Sequence, residues 1–248
     1  MLSWTLKTRE LPLRYTWKIA RGASIAKTNL LVRVASAAGA VGWGEAAPNV
    51  RYGETVEGLQ AEFEQLVAQG LGKIGSLDEL GQLLDANAPA HALRFACESA
   101  YVHLLANQTN QSVAHVLGLA DPVANVPTAF TLPIMEPGAV AGFVQAQYME
   151  RFELLKIKVD QESGYELLRE ITRVLPNRLL IIDGNEAWKD ADGVLRFLEQ
   201  ISALPGLRVR LLEQPLPAAC DDHYRYLRPL SPYPVFADES VTDTADFT

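Results

Sequence analysis

Hydrophobic positions along the chain change their spacing twice. Residues 11–19 and 29–34 carry aromatic and β-branched side chains, the composition of strands, and Gly39 and Gly42 punctuate a turn before Trp43. A loop, Ala20-Arg21-Gly22-Ala23-Ser24, separates the first two strands. Helical spacing then takes over. Residues 55–69 place Val56, Leu59, Phe63, Leu66 and Val67 close to a period of 3.6, and 77–84 and 91–105 continue as helices. Strands succeeded by helices predict an α+β unit.

Near Val126 short apolar runs begin to alternate with amphipathic stretches. The runs are 126–134, 153–159, 179–182, 209–212 and 235–237, and the stretches between them are 137–149, 163–174, 193–204 and 222–227. Strand–helix alternation of this kind implies parallel strands joined by right-handed helical crossovers. A barrel and a doubly wound open sheet both satisfy it. No glycine-rich phosphate loop comes after a strand, which disfavours a dinucleotide-binding fold.

The ends of the apolar runs are where the chemistry lies. They read Leu155-Lys156-Ile157-Lys158, Ile182-Asp183-Gly184-Asn185, Leu212-Glu213-Gln214-Pro215 and Ala237-Asp238-Glu239-Ser240. From Lys158 to Asp183, to Glu213, to Asp238 the steps are 25, 30 and 25 residues, each the size of a βα unit. In a TIM barrel the C-terminal strand ends share one rim, where active sites are built. Three carboxylates on successive strands repel one another unless a cation lies among them, and Mg²⁺ favours such hard oxygen donors. Lys156 and Lys158, two apart on a strand, share a face. Two ammonium groups that close disfavour each other's protonation, so one can serve as a base near neutral pH. Taken singly, Lys-x-Lys is a solvated strand end and an aspartate after a strand is a helix N-cap. The ordered set at βα spacing is what carries the reading.

Those four segments resemble, in order, the signature strand ends of the muconate-lactonizing branch of the enolase superfamily. Gly42-Trp43-Gly44-Glu45-Ala46 and the helix around 96–105 resemble its capping domain. The resemblance implies an α+β capping domain over residues 1–120. The first part of a (β/α)7β-type TIM barrel would occupy 121–248, incomplete with about five strands. It implies that Asp183, Glu213 and Asp238 bind Mg²⁺, with Asn185 supporting the metal site. Lys158 would be the acid/base on one face of the substrate and Lys156 would tune it. Within the branch, Arg51-Tyr52-Gly53-Glu54-Thr55 and Phe130-Thr131 are most similar to dipeptide epimerases. Thr131, Arg21 and Ser24 would then face the substrate, with Arg21 placed to pair with a carboxylate of a dipeptide such as Ala-Glu.

The implied reaction is Mg²⁺-dependent epimerisation of a dipeptide by α-proton abstraction through an enediolate. The alternatives are o-succinylbenzoate synthase or N-succinylamino acid racemase chemistry, or a binding remnant without turnover. In this family the second base is a lysine one βα unit beyond Asp238, and the last lysine here is Lys189. Five strands also leave an open edge. The chain is therefore read as truncated, with 243–248 as the start of a further helix.

Composition narrows the partners. With 22 lysines and arginines against 30 aspartates and glutamates, a net charge of −8 argues against nucleic acid. No apolar run approaches the roughly 18 residues of a membrane span, and the N-terminus lacks a signal-peptide stretch, so the chain reads as cytoplasmic. Cys97 and Cys220 fit no metal spacing and read as free thiols. His91, His103, His115 and His223 read as structural or solvated. The expected partner is a small dipeptide. The family commonly self-associates, which allows a homo-oligomer.

Overall fold

A computed structural model describes residues 1–120, 126–242 and 246. The expected boundary at 120/121 adjoins undescribed residues, and most of the helix expected over 243–248 lies outside the described ones. The chain divides into two compact units, Met1–Arg14 with Ile25–Asn125, and Tyr15–Ser24 with Val126–Thr248.

The strands β1 (Ser3–Ile19), β2 (Gly22–Ala35) and β3 (Val41–Ala46) form one sheet in that order, and all but Tyr15–Ser24 of it belongs to the first unit. β1 begins well before residue 11, because Leu2, Trp4 and Leu6 alternate with polar neighbours and pack on the unit's core. Only Ala20 and Arg21 lie between β1 and β2, so the expected five-residue loop is a tight turn and Gly22, Ala23 and Ser24 are strand. β2 buries Leu30, Val32 and Val34, every second residue, and pairs antiparallel with β3 from Leu30↔Ala46 to Ala35↔Val41.

The helices α1 (Val56–Ala68), α2 (Leu77–Asn87), α3 (His91–Thr109) and α4 (Val113–Val116) come next. Thr55 and Ser76 cap α1 and α2 by accepting from the Gly58 and Glu79 backbone N–H. α3 buries Leu93, Ala96, Cys97, Ala100 and Leu104 against the sheet. Each such leucine contributes roughly 1.5–3 kcal/mol. Gly42 is a correction to the sequence reading. It lies inside β3 and not in the turn, and the position calls for glycine because a Cβ there would meet the Ala100 carbonyl oxygen of α3 at 2.0 Å.

Burial, with a smaller contribution from Glu98, pushes the Cys97 thiol up to about 12. The thiolate is the reactive form. A thiol reagent at pH 8 is therefore expected to label half-buried Cys220 in the native protein and to reach Cys97 only on unfolding, as counted by mass spectrometry. Labelling of both in the folded protein would contradict this.

The second unit alternates strand and helix: β4 (Ala129–Leu132), α5 (Val140–Ala146), β5 (Leu154–Lys158), α6 (Gly164–Val174), β6 (Leu179–Asp183), α7 (Ala191–Ser202), β7 (Arg208–Glu213), α8 (Asp221–Leu230) and β8 (Val235–Phe236). The five strands form one parallel sheet in chain order, as expected for the first part of a barrel. Leu155, Ile157, Leu180, Ile182 and Leu212 point to one face and are buried in a single core with the helices, among them Leu167, Val194 and Leu227. Lys156, Ile181 and Leu211 alternate to the opposite, half-exposed face. The β1–β2 turn region belongs to this unit and is tied to it by a backbone bond from Ile134 N–H to the Lys18 carbonyl, 2.9 Å.

Candidate active site

Parallel register brings the polar strand ends together. Lys158 pairs with Asp183 and Asp183 with Glu213, while Glu213 pairs with Phe236, two residues before Asp238. Thr131 pairs with Lys156 on the neighbouring strand and is half-buried.

The two lysines converge on one carboxylate oxygen. Lys156 Nζ and Lys158 Nζ each lie 2.8 Å from Asp183 Oδ2. Lys156 Nζ also reaches Glu213 Oε1 at 2.5 Å, and Lys158 Nζ donates to Asn185 Oδ1 at 2.6 Å. Asp183 is fully buried, and its Oδ1 accepts from the Asn185 backbone N–H at 2.9 Å. Burial opposes the charged form of Lys156, but hydrogen bonds to Asp183 and Glu213 outweigh it and hold the ammonium above its usual range. Burial raises the Glu213 carboxyl. The Lys156 hydrogen bond opposes that rise, and repulsion from Asp183 and Asp238 adds to it. Asp238 lies nearer solvent, yet it too is raised, by partial desolvation first and then by Glu239.

Arg21, in the β1–β2 turn, reaches the same end of the sheet. Its Nη1 donates to the Asn185 carbonyl and to Glu186 Oε2, both at 2.9 Å, and its Nη2 to Glu239 Oε1 at 2.7 Å. Ser24 lies on β2, half-buried, and among the described residues it makes no hydrogen bond to this cluster. Of the residues expected from sequence, Lys156, Lys158, Asp183, Glu213 and Asn185 are directly linked. Asp238 lies within electrostatic reach, and Arg21 joins through Asn185.

Two members of the recognised strand ends acquire roles that the sequence left blank. Gln214 is fully buried. Its Oε1 accepts from the Asp238 and Ser240 backbone N–H at 2.6 and 3.1 Å, and its Nε2 donates to Ser240 Oγ and the Leu216 carbonyl at 2.7 and 3.0 Å. It therefore fastens the segment bearing Asp238 to the strand bearing Glu213. Glu239, also buried, accepts from Arg21 and from Asn185 Nδ2. A second polar residue directly after Glu213 and directly after Asp238 was the available signal. Asn185, Glu186 and Gln214 have φ of 43°, 65° and 34°. Holding non-glycine residues in that left-handed region costs roughly 1–2 kcal/mol each, so the surrounding contacts over-determine these loops. His103 and His223 accept backbone N–H bonds from Trp43 and Ala191, in keeping with the structural role expected of them.

Among the described residues, no group of three or more histidine, cysteine, aspartate or glutamate side chains is arranged to hold a metal ion. The geometry gives the reason, since the Lys156 ammonium stands between Asp183 and Glu213. None of the described helices is long and apolar enough to cross a membrane.

Residues 139–248 match the family model of the enolase C-terminal domain-like proteins. An L-Ala-D/L-Glu epimerase of Escherichia coli (strain K12) is 34% identical over 92% of this chain and 67% of its own length. An N-acetyl-D-glutamate racemase of Pseudoalteromonas sp. is 32% identical over 80% of this chain and 59% of its own length. The chain thus spans about two thirds or less of these relatives. The crystal structure of a dipeptide epimerase from Methylococcus capsulatus, complexed with Mg and the dipeptide L-Arg-D-Lys, superposes with a TM-score of 0.83 at 28% identity, covering 98% of this chain and 69% of that one.

Proposed function

From a chain that belongs to the enolase superfamily, we propose an isomerase that epimerises dipeptides by removing and returning an α-proton, with Lys158 as one base. The observation that carries this is the convergence of Lys156 and Lys158 on Asp183, beside Glu213 and Asp238 at the ends of adjacent parallel strands. The L-Ala-D/L-Glu epimerase relative supports a dipeptide ending in glutamate.

The donor set fits Mg²⁺. Glu213 and Asp238 are crowded carboxylates with raised affinity for protons, and a cation, the Lys156 ammonium, already bridges Asp183 and Glu213. Asp183, Glu213 and Asp238 would hold the metal, whose charge would replace that of the Lys156 ammonium between Asp183 and Glu213. Bound there, Mg²⁺ supplies positive charge that makes a substrate carboxylate's α-proton more acidic. The rest belongs to the protein's own groups. Asp183 and Asn185 hold Lys158 Nζ from two sides, so its proton-accepting position is fixed. Burial of Lys158 limits competing contact with water. Gln214 sets the distance between the strand ends that carry Glu213 and Asp238.

The test is incubation of the full coding product with L-Ala-L-Glu and Mg²⁺ in D₂O, tracking the glutamate α-proton by NMR. Exchange with appearance of the second epimer is expected. EDTA should abolish it and added Mg²⁺ restore it, whereas exchange that persists in EDTA counts against the metal assignment. N-acylamino acid racemisation is the second reading, favoured by the N-acetyl-D-glutamate racemase relative. Turnover of N-acetylglutamate without dipeptide exchange would select it.

A further inference from the structure

Asn185 presents its side-chain oxygen to Lys158, 2.6 Å from Nζ, and its side-chain nitrogen to Glu239 Oε1 at 3.3 Å. A side-chain amide has a donor end and an acceptor end, so a fixed acceptor on one side decides what the other side offers. Were the nitrogen end free, the amide could turn and set its N–H groups against the Lys158 ammonium. Glu239 removes that freedom, because a carboxylate accepts and cannot donate. Its own position is fixed in turn by Arg21, whose Nη2 lies 2.7 Å from the same Oε1. The Glu239 side chain is only 5% exposed, and among the described residues its buried Oε2 has no hydrogen-bond partner. Burying a carboxylate is costly unless it is paired, and Arg21 supplies the pairing charge. Arg21 also grips Asn185 directly through its carbonyl and is braced by Glu186.

We propose that Glu239 is a positioning residue for the reaction: held by Arg21, it locks the Asn185 amide so that its oxygen faces Lys158. The inference rests on the epimerase reading above, and it ties the β1–β2 turn to the orientation of the base. It also gives Arg21 a role in which both of its terminal nitrogens donate to protein groups.

The experiment compares Glu239→Ala and Glu239→Gln in the full protein, with Mg²⁺ affinity measured by calorimetry using the metal alone. Glu239→Ala should lower kcat for α-proton exchange tenfold or more, with KM and Mg²⁺ affinity each held within threefold. Glu239→Gln can still accept, but its amide can also donate and carries no charge for Arg21, so it should recover only part of that loss. A second readout needs no turnover. In ¹⁵N-labelled protein the Asn185 side-chain amide signals, assigned through Asn185→Asp, should shift and exchange faster with solvent in Glu239→Ala. Unmoved amide signals, or a fall in kcat that merely tracks lost Mg²⁺ affinity, would overturn the proposal. If the parent protein exchanges no α-proton, the epimerase reading fails, and the amide signals decide the orientation on their own.

Discussion

Replacing Lys158 with alanine is expected to remove α-proton exchange almost completely, by about 10²–10⁴-fold in kcat, the range typical of a lost general base. The protein should nevertheless stay folded. Asp183, the buried carboxylate that Lys158 touches, keeps Lys156 on Oδ2 and the Asn185 backbone N–H on Oδ1, so no charge is left without a partner. Lys156→Ala should behave differently. Lys156 bridges Asp183 and Glu213, and its removal leaves two carboxylates facing each other. That favours any divalent cation able to replace it, so Mg²⁺ affinity should rise while kcat falls less. Exchange rates measured in D₂O, with circular dichroism as the check on folding and calorimetry for the metal, separate the two lysines. Lys158→Ala exchange within tenfold of the parent would remove Lys158 from the role of base.

Much of the second unit was legible because a parallel strand in this setting has one fully buried face. The apolar pairs at 155 and 157 and at 180 and 182 fix which side faces the helices, and a charged side chain at the strand's end is then an exception that needs a reason. Asp183 and Glu213 were such exceptions. The environment of Arg21 was not legible, since its partners lie 164 to 218 residues away in sequence. Nor could spacing say that Gln214 and Glu239 turn inward. Gln214 takes a left-handed conformation at an ordinary residue, and Glu239 is held inward by bonds from Arg21 and Asn185, which lie far away in sequence. Pairing within a strand end can be read from a sequence, but bonds between strand ends depend on how neighbouring loops close.

The largest stability effect is expected in the first unit, at Gly44. A Cβ there would stand 2.0 Å from the Ala96 carbonyl oxygen and 2.8 Å from the Ala96 carbonyl carbon, both backbone of α3. No side chain can rotate out of the way, so α3 as a whole must lift by more than about 1 Å to restore ordinary contact distances. α3 is held down by buried Leu93, Cys97 and Leu104, and lifting it opens gaps along that row. Overpacking a core costs about 1–3 kcal/mol and sometimes more, and a backbone obstacle belongs at the upper end. Gly44→Val should therefore lower the melting temperature by roughly 6–12 °C, at about 2–4 °C per kcal/mol for a protein of this size. Gly81→Ala is the matching control. Gly81 lies inside α2 with nothing within 4 Å of the added carbon, so the helix gains about 0.5–1 kcal/mol and melting should rise. Opposite shifts from two added side chains would show that contact with α3 decides the outcome, not the loss of glycine itself. A Gly44→Val protein that melts with the parent would mean that α3 has slack on β3, and close approach would then not explain the small residues on that face.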